Sequence, residues 1–260
     1  MTDKSHTGSS NGLILAIADG CATITLNRPE RHNALSQQDM EALSETLKEV
    51  DQNQELRVVV LTGAGEKSFC SGAFLDDLAG GKFKGDPFQD LAATLENMRL
   101  PTICVFNGSV YGGGVEISLC CDFRIGQKGM RMFVPPARIG IHYPENGLRR
   151  FISRLGLGAT KRIILAVETF DSNALVEIGF LDYLVPPEDL ADRTNALVQD
   201  LKKLAPLSVQ TMKSTLNEIA RDEVDSEKIK ERIALCWNSE DTREAMKARK
   251  EKREPVFRQR

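Results

Sequence analysis

Two glycine-bearing turns, each following a short apolar strand-like run, constrain this chain more than any other feature. The first reads Phe69-Cys70-Ser71-Gly72-Ala73-Phe74-Leu75-Asp76-Asp77-Leu78. The second reads Asn107-Gly108-Ser109-Val110-Tyr111-Gly112-Gly113-Gly114-Val115-Glu116. Three consecutive glycines entering a helix let the backbone approach a ligand closely, and they leave helix N-terminal N–H groups without intrahelical partners. Two such turns on adjacent strands can aim two N–H groups at one oxygen, which is the geometry of an oxyanion hole. The same glycines also suit a tight turn with close helix–sheet packing. They are not a dinucleotide fingerprint, because G-x-G-x-x-G is absent after the first strand, and not a P-loop, because no Gly-Lys-Ser/Thr follows.

The segments around these turns set the fold class. Leu13 to Ala18 and Ala22 to Leu26 are β-rich runs joined by Asp19-Gly20, a hairpin signal. Ser36 is a helix N-cap with Asp39 in the capping-box position. Met40, Leu43, Leu47 and Val50 then recur at helical spacing from about Gln37 to Val50. Apolar strands are expected at 57–62, 102–106, 123–125 and 132–134, with a helix at 88–98. Strands alternating with helices predict an α/β core. From Gly147 onward the pattern is nearly all helical, with segments at 147–155, 158–167, 172–178, 188–204, 206–221, 223–237 and 240–252. Such a half caps or oligomerises rather than folding alone.

Composition narrows the function classes. The 260 residues are 41% hydrophobic and 27% charged, with a net charge of -3. This is a globular chain with a sizeable core and no global basic field for nucleic acid. From Arg243 to Arg260, eight basic and three acidic residues give +5, which leaves -8 for the other 242. That tail is a solvated helix face or an anion contact. No apolar run approaches a membrane span. Residues 1–12 read as a disordered leader without a signal-peptide core. The six cysteines at 21, 70, 104, 120, 121 and 236 lack metal-ligand spacing and read as free thiols of a reducing, cytoplasmic setting; no metal site is expected.

Taken together, Ile24-Thr25-Leu26-Asn27-Arg28-Pro29, Asn33-Ala34-Leu35, Phe69 to Ala73, and Asn107 to Glu116 with Cys121-Asp122 resemble the enoyl-CoA hydratase/isomerase (crotonase) family. The tail Glu244-x-Met246-x-Ala248-x-x-Glu251-Lys252-Arg253-x-Pro255-x-Phe257 resembles that family's C-terminal signature. The likeness runs in order from about residue 13 to 257. It implies a crotonase-like spiral of ββα units over 13–195. Over 196–260 it implies a helical region for trimerisation and CoA contact, in homotrimers or dimers of trimers. It implies an acyl-CoA thioester substrate, with coenzyme A as part of the substrate and no tightly bound cofactor.

Carried over by position, the resemblance places the oxyanion-hole N–H groups at Ala73 and Gly113 and a catalytic carboxylate at Glu116. Outside the motif, a lone Glu in a helix's first turn is a dipole partner. It further implies substrate or CoA contacts at Arg28, Arg31, Ser71, Phe74, Gly112, Pro136, His142, Arg249 and Lys252. Lys252 stands where the family reaches the CoA phosphates, and Arg249 replaces the family's Phe in the preceding turn.

Two departures matter. Pro136 occupies the place of the hydratases' second Glu, and Phe74 replaces an Asp often found after the first hole residue. Gly140-Ile141-His142-Tyr143-Pro144-Glu145 also resembles the methylmalonyl-CoA decarboxylase branch in part, where a Tyr at the Tyr143 position accompanies the Glu116 position. Three readings stay open: hydration or double-bond isomerisation with Glu116 and Glu145, decarboxylation of a malonyl-type CoA with Glu116 and Tyr143, and a non-catalytic acyl-CoA- or RNA-binding paralogue. Acyl chain length is left to loop 79–90.

Overall fold

The computed structural model describes residues 6–10, 12–74 and 85–258, the first five as backbone alone. Residues 79–84 of the loop expected to set chain length lie outside the described residues. Residues 1–5 and 11 of the expected leader lie outside them too.

Eleven strands form two sheets among the described residues. The larger has seven strands in the order β1-β2-β3-β4-β6-β8-β11. These are β1 (His6–Ser10), β2 (Leu13–Ala18), β3 (Cys21–Leu26), β4 (Val58–Gly63), β6 (Thr102–Val105), β8 (Phe123–Gln127) and β11 (Tyr183–Val185). The first three pair antiparallel and the rest parallel. The smaller sheet runs β10-β9-β7-β5, made of Phe170–Asp171, Arg131–Phe133, Ser109–Tyr111 and Ser68–Cys70.

Local chemistry explains the joints. Asp19 and Gly20 both have positive φ, 45° and 70°, as a two-residue turn matched to strand twist requires. The capping box forms as expected. Asp39 N–H donates to Ser36 Oγ at 3.2 Å and Ser36 N–H to Asp39 Oδ2 at 3.0 Å, opening α1 (Gln37–Gln52). Along β4 the side chains alternate. Val59 and Leu61 enter the main core with Leu43, Leu47, Phe69 and Phe106, while Val58 and Val60 meet Leu197 and Val198 on the other face.

The remaining helices are α2 (Pro87–Glu96), α3 (Gly113–Leu119), α4 (Glu145–Ile164), α5 (Ser172–Glu177), α6 (Leu190–Lys202), α7 (Pro206–Arg221), α8 (Ser226–Trp237) and α9 (Glu240–Glu251). The two helices expected at 147–155 and 158–167 form α4, which breaks at Gly156 (φ 75°, ψ 163°). His6–Ser10 pairs antiparallel with β2 as the edge strand of the larger sheet, with Gly12 between them at φ 76°.

The C-terminal helices dock on the core through polar anchors. Buried Lys213 Nζ donates to Leu100 O at 2.8 Å and pairs with Asp122 Oδ2 at 2.6 Å. Asn217 Nδ2 donates to Glu96 O at 3.0 Å. Beyond those anchors the outer face is apolar and open: Leu216 is 66% exposed and Trp237 67%. With Met212, Ile233 and Met246 they line a groove of about 590 Å³ between α7, α8 and α9.

Candidate active site

The two glycine turns meet. A β-carbon built on Gly72 would stand 2.4 Å from the Gly113 nitrogen, and one on Gly114 would stand 2.4 Å from Cys70 O. Neither position admits a side chain unless the backbone moves. Gly112 has φ 52° and ψ -130°, and a β-carbon there would press on Ser71 O at 3.0 Å. Its N–H is tied to Phe133 O at 3.0 Å. These contacts bring Ser71, Gly112 and Gly113 into one constellation.

Ala73 is held as extended chain beside Leu35. Leu35 N–H donates to Gly72 O at 2.8 Å and Phe74 N–H to Leu35 O at 2.9 Å. Peptide groups alternate direction along an extended chain, so the Ala73 N–H points away from Leu35. Gly113 is the first residue of α3, where the N–H has no intrahelical acceptor. Ala73 and Gly113 therefore present the backbone expected of the two donors. Asn33 and Asn107 stiffen the floor beneath them. Asn33 Nδ2 donates to Ser68 O at 2.9 Å, Asn107 Nδ2 to Ser68 O at 3.1 Å, and Gly63 N–H donates to Asn107 Oδ1 at 3.0 Å.

Glu116 lies three residues beyond Gly113, hence on the same side of α3, and is 1% exposed. It is not an isolated carboxyl beside an acyl chain. Arg150 Nη1 donates to its Oε1 at 2.8 Å and Gln89 Nε2 to the same atom at 3.0 Å. Oε2 is turned toward Tyr143 and Gly147, where a β-carbon on Gly147 would find Tyr143 Cε1 at 2.5 Å and Oε2 at 2.9 Å. Tyr143 lies beside Glu116, and burial followed by the nearby carboxylate pushes its phenol well above the ordinary range. The hydroxyl thus stays a donor. Tyr143 packs edge-on to Phe151 with centroids 5.6 Å apart.

Other residues expected in the site differ in how near they stand to it. Glu145 is 76% exposed at the start of α4, and Arg149 one turn on engages its Oε1 through Nη2 at 2.8 Å. Its side chain leaves the helix on the solvent face. His142 is exposed and its Nδ1 rests 2.8 Å from Tyr143 O, outside the pocket. Arg28 bonds Asp39 through Nε and Nη2, at 3.0–3.2 Å, and steadies the start of α1. Pro136 is buried and opens a short 3-10 turn, with the neighbouring Pro135 Cδ 3.9 Å from the Gly112 β position. Arg31 stacks over the Phe74 ring at 5.0 Å. Arg249 and Lys252 are exposed at the end of α9, Lys252 as its left-handed cap with φ 53°.

Sequence reasoning passed over three contributors. Phe88 of α2 lies against Gly113, its ring carbons 2.7–2.8 Å from the Gly113 β position. Gln89 and Arg150 hold Glu116. The signal for Arg150 was present: Gly147, Arg150 and Phe151 fall on one buried stripe of α4 by helical spacing.

The family model for enoyl-CoA hydratase/isomerase matches residues 16–260. The chain belongs to the enoyl-CoA hydratase/isomerase family. Among its relatives, the short-chain-enoyl-CoA hydratase of Clostridium acetobutylicum is 30% identical over 251 residues, covering 94% of this chain and 96% of that protein. The crotonyl-CoA hydratase of Syntrophomonas wolfei is 28% identical over 94% of this chain and 97% of its own. A crystal structure of enoyl-CoA hydratase from Bacillus anthracis superposes with TM-score 0.87 at 26% identity, covering 96% of this chain and 100% of the other. An enoyl-CoA hydratase/carnithine racemase from Magnetospirillum magneticum gives TM-score 0.90 at 24% identity over 97% of each chain, a likeness of fold. The architecture is the crotonase fold, and the protein is an enzyme of that superfamily. Among the described residues no helix is long and apolar enough to cross a membrane.

Proposed function

We propose that the enzyme shifts the double bond of an enoyl-CoA by a proton transfer that one carboxylate performs. Glu116 Oε2 takes the proton from C2 of a 3-enoyl thioester. The electron pair moves onto the thioester oxygen as a dienolate, which the Ala73 and Gly113 N–H groups hold. Collapse of the dienolate draws the same proton onto C4 and leaves a 2-enoyl thioester. Donors fixed in advance suit a charge that develops on the oxygen, and losing one costs about 100–1000-fold in comparable holes. The observation that carries the reading is Glu116 buried one turn beyond Gly113, with Glu145 engaged by Arg149 at the surface. A one-base shift needs no second acid.

Hydration is the second reading, favoured by the relatives named as hydratases. Decarboxylation is the less favoured alternative, because the relatives are named as hydratases and none as a decarboxylase among those described. Coenzyme A is carried as part of the substrate, with Arg31 and Lys252 as candidate phosphate contacts. The open apolar face of α7, α8 and α9 supports assembly into trimers or dimers of trimers.

Incubation with a 3-enoyl-CoA and with crotonyl-CoA, read by mass spectrometry, tests the reaction. A 2-enoyl product of unchanged mass supports isomerisation, and a gain of water from crotonyl-CoA shifts the assignment to hydration. Glu116→Gln must abolish either; full turnover by that variant refutes the acid/base role. Light scattering during gel filtration reports whether three or six copies assemble.

A further inference from the structure

Arg150 makes more contacts to this site than an ordinary ion pair needs. It is 6% exposed. Its Nη1 donates to Glu116 Oε1 and to Gln89 Oε1, both at 2.8 Å, and its Nε to Glu96 Oε2 at 3.2 Å. Gln89 closes the ring by donating Nε2 to Glu116 Oε1 at 3.0 Å. Arg221 Nη1 approaches the far side of Glu96 Oε2 at 3.7 Å. Buried ion pairs contribute little net stability against apolar replacements, so such a cluster is poorly explained by stability alone. Its geometric effect is specific. Two donors converge on one oxygen of Glu116, and none of them engages the other.

We infer that Arg150, clamped by Glu96 and Gln89, is a positioning residue that fixes Glu116 Oε1 and makes Oε2 the proton-carrying atom. The inference rests on the acid/base role proposed for Glu116. A planar guanidinium held at two further points locks the carboxylate plane, because its donors form a rigid fork. Oε2 then keeps one direction, toward Tyr143 and Gly147. A lysine at 150 would keep the charge and lose the fork.

The test compares Arg150→Lys, Arg150→Met and Glu116→Gln with the unaltered enzyme. Arg150→Lys is expected to lose about 100-fold in kcat with KM within about threefold, as misplacement of a reacting group does. Arg150→Met removes both the charge and the fork, so its kcat falls further than that of Arg150→Lys, again with KM within about threefold.

A folded Arg150→Lys with kcat near that of the unaltered enzyme overturns the inference. So does a kcat loss matched by an equal loss of substrate binding in folded Arg150→Met, which would mark a merely structural role. If neither Arg150 variant folds, Gln89→Met decides. It frees Oε1 of one donor and keeps the ion pair, with about a tenfold kcat loss expected for a bond to a charged group. No loss overturns the inference. Glu116→Gln separates the two readings: an active Glu116→Gln defeats the function proposed above, whereas an inert one beside a fully active Arg150→Lys defeats only the role of Arg150.

Discussion

Gly72 and Gly113 touch through their backbones, with the β position of Gly72 2.4 Å from the Gly113 nitrogen. The contact joins two turns that are far apart in sequence and sets the spacing of the donors at Ala73 and Gly113. Gly72 also has φ 89°, which a residue with a β-carbon adopts only under strain. The pair explains why glycine stands at both positions better than turn geometry alone does.

Gly72→Ala therefore parts the two turns. The expected outcome is a loss of about 100-fold or more in kcat, the scale of one lost oxyanion donor. Steady-state kinetics on the best enoyl-CoA would measure it, with far-UV circular dichroism checking that the fold persists. Activity close to that of the unaltered enzyme in a folded Gly72→Ala would mean that the two donors do not act on one oxygen.

Glu145 was a candidate second acid, and its place at the surface gives the opposite expectation. Glu145→Gln removes an exposed i,i+4 pair with Arg149 and should leave turnover within about twofold and stability within about 0.5 kcal/mol. A tenfold fall in kcat would show that the start of α4 turns inward when substrate binds, and the one-carboxylate scheme would then fail.

Much of the fold was legible because its signals are local and repeated. The Asp19-Gly20 hairpin, the Ser36/Asp39 capping box and the unbroken apolar run of β4 each state one structural choice in a few residues. Short strands carry no such pattern: Ser68–Cys70 and Phe170–Asp171 are too brief for a period to show. The Asn11-Gly12 dipeptide before β2 is a hairpin signal, and His6–Ser10 pairs with β2. In the site, Glu116 and Gly113 were legible because one motif holds both. Arg150 reaches Glu116 from 34 positions away, and no local pattern separates it from its exposed neighbour Arg149 except the buried stripe. The pairing of Arg28 with Asp39, eleven positions on, is likewise not announced by any local pattern.

The C-terminal tail should be sensitive to acid. Arg253 donates to Glu244 at both carboxylate oxygens and Val256 N–H donates to Oε1, and these bonds hold the Glu244 carboxyl down to about 2 from an ordinary 4.5. A carboxyl whose folded value is depressed contributes stability above its unfolded value and loses it as pH falls. The contribution is whole above about pH 4.5 and vanishes toward pH 2. Thermal unfolding followed from pH 5 to 2 should steepen less in Glu244→Gln than in the unaltered chain. Parallel curves would mean that the tail is already detached at the melting point.

Lys213 offers the sharpest test of how the helical region is attached. Its ammonium meets Asp122 Oδ2 at 2.6 Å, and the same oxygen accepts from Thr102 N–H at 2.8 Å and Thr102 Oγ1 at 3.0 Å. One carboxylate thus ties α7 to the start of β6 just beyond the end of α3. Lys213→Met fills the space with apolar atoms but leaves Asp122 short of its cation in a largely buried place. The expected cost is about 3 kcal/mol, the lower end for a broken buried pair, because Asp122 keeps its Thr102 bonds and some contact with water. For a chain of this size that lowers the melting temperature by about 6–12 °C. Asp122→Asn alone should also destabilise, and the double variant should lose less than the two single losses together, since the second change removes a charge already stranded. Strictly additive losses in denaturant titrations would show that the two groups do not act as a pair, and the attachment of α7 would then rest on Asn217 and apolar packing.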